Sequence, residues 1–241
     1  MAVLGVSVGP DGRLEGAGGL RAALAALPPG APVAVLIHGF NFAPGATGGA
    51  DPHRSLFAEG GARCWKLPSW PAGLGLSGAG GLAIGFGWPA RVPHLGALLR
   101  TGRTGLAHAY ERAEHAGAAL AELLDRVAAA APGRPVDLIG HSLGGRVALA
   151  ALPHLTARAG RALGRVILLG AAEFAGVAAE RLAGLPRGAQ PEILNVIARA
   201  NDPFDALFER FAPGLRRDRA LGAGLVYPGP RWLDLQIDHP D

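Results

Sequence analysis

Residues 136–143 read VDLIGHSL, and Gly144 and Gly145 follow. Val136, Leu138 and Ile139 make a short apolar run of the kind that forms a buried strand. Past Gly145 the chain changes to Val147, Ala148, Leu149, Ala150, Ala151 and Leu152, a composition that favours helix. Between the two lies only Gly140-His141-Ser142-Leu143-Gly144, a G-x-S-x-G pentapeptide. A chain that passes from strand to helix this quickly must turn sharply, so the residues two before and two after the serine must be small. The turn lifts the serine hydroxyl clear of the sheet and turns the next backbone N–H toward the same space. The strand before and the helix after make the pentapeptide a nucleophile elbow and not a glycine-rich turn with a bystander serine.

The rest of the chain supplies more strands and helices in alternation. Apolar runs at residues 33–37, 82–86, 166–169 and 193–198 read as buried strands, and residues 233–237 alternate as a last strand. Residues 2–8 form an alternating strand closed by Pro10-Asp11-Gly12, with a short return at 13–15. The spacing predicts helices over residues 20–27, 106–130, 177–182 and 203–211. The longest carries Leu106, Ala109, Ala113, Leu120, Leu124 and Val127 on one face. This alternation predicts an α/β fold with a mainly parallel central sheet and helices on both faces. There is no internal repeat and no second core, so residues 1–241 form one domain. Residues 42–81 interrupt the pattern with many Gly and Pro and two tryptophans, Trp65 and Trp70. They read either as an insertion over the active-site face or as a surface loop.

Composition narrows the function classes. Hydrophobic residues make up 49% and charged residues 17%, which suits a globular chain. No apolar run reaches the roughly 18 residues needed to span a bilayer, and the first residues show no secretory leader, so a cytoplasmic location is expected. The net charge of +4 rests almost wholly on arginine, Lys66 being the sole lysine. The tightest basic cluster, Arg216, Arg217 and Arg219, is interrupted by Asp218, so nucleic acid is not an expected partner. Cys64 is the single cysteine and reads as a small buried hydrophobe. Metal clusters, phosphate-cradling loops and nicotinamide fingerprints are missing from the sequence, so neither cofactor nor metal is expected.

A serine hydroxyl is a weak nucleophile at neutral pH. It needs a base within hydrogen-bond reach, and the base needs a carboxylate to orient it. On a strand–turn–helix elbow the chain order is serine, acid, histidine. Asp202, just past the strand at 193–198, is the expected acid, with the alternative that it caps the following helix. Asp205 is the second choice, since it falls inside that helix. Two histidines follow Ser142. His154 lies too close to the elbow helix to swing back, which leaves His239, two residues before the last residue of the sequence, either as base or as a solvated tail residue. The oxyanion donors expected are the backbone N–H groups of Leu143 and of Phe40, in the loop after residues 33–37. His38 braces that loop by hydrogen bonding, and His141 packs beneath the elbow.

His38-Gly39-Phe40-Asn41, the Gly140–Gly145 stretch and the Asn201-Asp202 strand end together resemble an α/β-hydrolase of the serine esterase and lipase type. Gly87-Trp88-Pro89 resembles a feature of a bacterial subgroup with no settled substrate. The resemblance runs from about residue 33 to residue 202. It implies the α/β-hydrolase fold, a Ser142-Asp202-His239 triad and a small-molecule ester substrate cleaved through an acyl-enzyme. In similar sequences the base is followed by a last helix. Here only Pro240 and Asp241 follow His239, so the C-terminal part is expected to be incomplete relative to that fold. The alternative is a catalytically impaired scaffold of the same fold that binds a ligand or partner.

Overall fold

The computed structural model describes residues 3–9, 11–59, 69–78, 80–92, 105–186, 190–213, 218–225, 229 and 231–238. Its strands are β1 (Val3–Val8), β2 (Leu14–Glu15), β3 (Val33–Ile37), β4 (Leu82–Gly87), β5 (Val136–His141), β6 (Leu163–Leu169), β7 (Glu192–Ile197) and β8 (Trp232–Gln236). They form one eight-stranded sheet in the order β2-β1-β4-β3-β5-β6-β7-β8. Every pairing is parallel except that of β1 with β2. The helices are α1 (Leu20–Ala25), α2 (Trp70–Gly73), α3 (Gly105–Ala130), α4 (Leu143–Ala151), α5 (Ala157–Ala162), α6 (Ala175–Ala183) and α7 (Asp202–Phe211). The fold is α/β, as the alternation predicts. The short helix α5 lies in a segment too brief and too polar to show a helical stripe.

Alternation along each strand divides the core in two. Val33, Val35 and Ile37 of β3 join Leu82, Ile84 and Phe86 of β4 in a large core with buried residues of α1, α3 and α4. Ala34, Leu36, Ala83 and Ile139 point to the other face, where Leu56, Phe57 and Leu76 cover them and Trp70 of α2 packs alongside. The described parts of 42–81 therefore supply a covering layer for this face of the sheet. Phe57 is 1% exposed. The composition hides this role because glycine and proline suit irregular backbone, while only a few apolar anchors do the packing. Trp65, Cys64, Lys66, Arg216, Arg217 and His239 lie outside the described residues.

A buried ionic cluster ties α3, α4 and α6 together behind the elbow. Glu173, with no exposed surface, accepts from Tyr110 Oη at 2.7 Å, from the Phe174 N–H at 2.8 Å, from Arg146 Nη1 at 2.6 Å and from Arg181 Nη1 at 3.1 Å. Arg146 also donates to Glu114 at 2.7 Å and to the Tyr110 carbonyl at 2.8 Å, and lies 3.4 Å over the Tyr110 ring. Arg181 completes the ring of charges on Glu114. Burial, then the neighbouring Glu173 carboxylate, push the Tyr110 hydroxyl well above its usual pKa. Every acceptor site on Glu173 is used, which makes a buried charge tolerable.

Candidate active site

Ser142 stands between β5 and α4 with φ 54° and ψ −123°. Such a left-handed conformation is costly for a residue with a Cβ, on the order of 1–3 kcal/mol, and persists only where its surroundings enforce it. They do so here. The Ser142 N–H donates to the Leu169 carbonyl at 3.0 Å, and the Ser142 carbonyl accepts from Gly145 at 2.9 Å and Ala172 at 3.0 Å. A Cβ on Gly140 would lie 2.5 Å from the Gly144 oxygen, and one on Gly144 would lie 2.2 Å from the Ile37 oxygen. Those contacts are the physical reason for glycine at both ends of the pentapeptide. Leu143 opens α4, so its N–H belongs to the first-turn donors that lack an intrahelical acceptor.

The loop after β3 presses against this turn. A Cβ on Gly39 would lie 2.9 Å from the Ser142 Cβ, so only glycine lets the two backbones approach and brings Phe40 alongside the serine. His38, with no exposed surface, holds the loop. Its Nε2 accepts the Trp88 N–H at 3.1 Å, so its Nδ1 must carry the proton donated to the Gly39 carbonyl at 2.9 Å. The Trp88 indole N–H donates to the His38 carbonyl at 2.9 Å, and the two rings stack with centroids 5.6 Å apart. Burial holds the His38 pKa down to about 3, so the ring stays neutral. His38 is thus a brace, as its sequence position suggests. The sequence also shows Gly87-Trp88-Pro89, but nothing in it pairs Trp88 with His38.

A cavity of about 600 Å³ opens over Ser142. Phe40, Leu106 and, on α7, Phe204, Leu207, Phe208 and Phe211 make its apolar lining. His141, Asn201 and Asp205 are its polar lining besides Ser142. His141 is exposed at the rim, with Trp70 edge-on to its ring at 6.1 Å, and desolvation lowers its pKa. No described residue of 42–81 lines this cavity.

Asp202 begins α7 and keeps 53% of its side chain exposed, 3.8 Å from Arg199. It lines a separate, smaller recess with Arg199 and Arg219, outside the cavity over Ser142. Asp205 lines both recesses. Its Oδ1 accepts from Asn201 Nδ2 at 3.1 Å, and burial raises its pKa, with the Asp202 and Glu209 charges adding in the same direction. His154 stands beyond the far end of α4, about 14 Å of helix from Ser142. Asp238, the residue before His239, accepts from the Arg199 N–H at 2.9 Å and the Ala200 N–H at 2.8 Å. The Ile237 N–H donates to the Ile197 carbonyl at 3.0 Å. The end of β8 is therefore fastened to the turn that opens α7. Among the described residues no side chain hydrogen-bonds the Ser142 hydroxyl, and no group of three or more His, Cys, Asp or Glu is arranged to hold a metal ion.

A sequence model of the family described as "Protein of unknown function (DUF726)" matches residues 74–179, the span that holds β4, α3 and the elbow. A search of curated proteins returns no match. Among solved structures, the crystal structure of Bacillus licheniformis lipase BlEst2 in its propeptide form is similar at 18% identity, with a TM-score of 0.36 over 73% of this chain. The aligned part spans 37% of that lipase. Among the described residues no helix is long and apolar enough to cross a membrane.

Proposed function

We propose that this protein is a serine hydrolase of the α/β-hydrolase type that cleaves carboxylic esters through an acyl-enzyme. The observation that carries the reading is the enforced left-handed turn at Ser142, with its hydroxyl on the wall of an apolar cavity and the Gly39–Phe40 loop pressed against it. In this reading Ser142 Oγ attacks the ester carbonyl and its proton passes to an imidazole. The carbonyl oxygen becomes an oxyanion held by the Leu143 and Phe40 N–H groups. Collapse expels the alcohol, which takes the proton from the imidazole. Water then adds to the Ser142 ester by the same steps in reverse order and releases the acid.

His239 is the imidazole the chain order offers. The carboxylate comes from the first turn of α7. Asp205 is the better placed of the two candidates because it shares the cavity with Ser142, while Asp202 faces Arg199. A fluorophosphonate probe tests the reading: it should label the protein at Ser142 alone, and Ser142→Ala should abolish labelling while leaving the thermal transition intact. Labelling that survives this change removes the proposal.

A further inference from the structure

We propose that the cavity over Ser142 takes a medium-to-long unbranched acyl chain, laid along α7 against Phe204 and Leu207. This inference rests on the hydrolase reading above and names its substrate class. The argument starts from the helix. Phe204, Leu207, Phe208 and Phe211 recur at helical spacing, so they share one face of α7. Phe208 anchors that face. It is 4% exposed and packs on Phe174 at 4.7 Å and Tyr110 at 5.7 Å between ring centroids.

With Phe208 fixed, its neighbours on the same face are held open to solvent. Phe204 is 68% exposed and Leu207 52%, although both are large and apolar. Both line the cavity that contains Ser142, together with Leu106 and Phe40. His141, Asn201 and Asp205 are the polar side chains that line it beside Ser142. The site thus joins a serine hydroxyl to a mainly apolar lining that a hydrocarbon segment would desolvate. A sugar in the same place would leave its polar groups unpaired against phenylalanine. The cavity size lies within the range of ordinary small-molecule sites.

Two measurements test this. The first is kcat/KM for p-nitrophenyl esters from acetate to dodecanoate. It should rise with chain length by up to about fourfold for each methylene buried, and Phe204→Ser with Leu207→Ser should cut the dodecanoate-to-acetate ratio at least about tenfold. The second is calorimetric titration of sodium dodecanoate, below its micelle concentration, into Ser142→Ala. Binding should be seen there and be lost in Ser142→Ala carrying Leu207→Asp. A flat or falling ester series in a protein whose Ser142 labels with fluorophosphonate overturns the acyl-chain inference and leaves the hydrolase reading standing. Dodecanoate binding that depends on Leu207, without ester cleavage, supports the acyl-chain site and removes the hydrolase reading. A dimer in sedimentation that buries Leu207 and binds no dodecanoate gives this face to a second copy and overturns the proposal.

Discussion

Trp88 holds His38 from two directions: its backbone N–H donates to His38 Nε2 at 3.1 Å, and its indole N–H donates to the His38 carbonyl at 2.9 Å. The pair fixes the tautomer of a ring that no water reaches, and with it the path of Gly39 and Phe40 past Ser142. Trp88→Phe keeps the ring and the backbone donor but strands the His38 carbonyl. Loss of one buried partner costs about 1–3 kcal/mol. Denaturant unfolding should show that loss. Ester turnover should fall in kcat more than in KM, because a shifted Phe40 N–H serves the transition state and not the ground state. A variant with unchanged stability and kcat would show that the loop is held by other contacts.

The same ring gives the protein a pH dependence. Burial holds the His38 pKa at about 3, well below the ordinary histidine value of about 6.5, so the unfolded chain takes up a proton that the folded one refuses. Stability is complete above pH 6.5 and falls as pH drops toward 3, by on the order of 5 kcal/mol across the window. Desolvation lowers His53 and His141 as well, which steepens the slope in the same direction. Unfolding midpoints at pH 7 and pH 4.5 should differ accordingly, and His38→Gln, which can still accept from Trp88 and donate to Gly39, should narrow the difference. An equal acid loss in His38→Gln would assign the effect to other groups.

Gly144→Ala probes the elbow sterically. Its new Cβ would lie 2.2 Å from the Ile37 oxygen, which belongs to the central strand β3 and cannot retreat. The expected result is a loss of several degrees in Tm together with loss of Ser142 labelling. Gly160→Ala, where a Cβ meets nothing within 4 Å, is the control and should leave both unchanged.

Asp205 and Asp202 are separated by paired substitutions. Asp205→Asn should lower ester turnover by orders of magnitude, on the scale of roughly 10⁴ for a triad carboxylate. Asp202→Asn should cost less than tenfold, since that side chain is half exposed and faces Arg199. The opposite ranking returns the role to Asp202.

Arg146→Met tests the cluster behind the elbow. Of the two arginines on the fully buried Glu173 carboxylate it leaves Arg181, beside the neutral donors Tyr110 and Phe174, and removing one partner of a buried pair costs about 3–5 kcal/mol. Chemical denaturation reads this directly. A loss under about 1 kcal/mol would mean that water enters the cluster.

Local pattern determined the elements. Apolar runs of four to six residues marked the buried strands, and the pentapeptide that joins β5 to α4 set Ser142 in its turn, because a reversal that short leaves little other geometry. The Gly/Pro content of 42–81 likewise marked where the alternation of strand and helix is interrupted. What the chain could not announce is which distant groups meet. The pairing of His38 with Trp88 spans 50 residues and that of Arg146 with Glu173 spans 27. The packing of Phe57 onto the back of β3 and β4 depends on a sheet order that no local pattern encodes. The choice between Asp202 and Asp205 is of the same kind. Both sit just past β7 and both line the recess with Arg199, and only the docking of Phe208 on Tyr110 and Phe174 decides that Asp205 also reaches the cavity of Ser142. Helical periodicity says that two residues three apart share a flank. Tertiary packing decides what that flank faces.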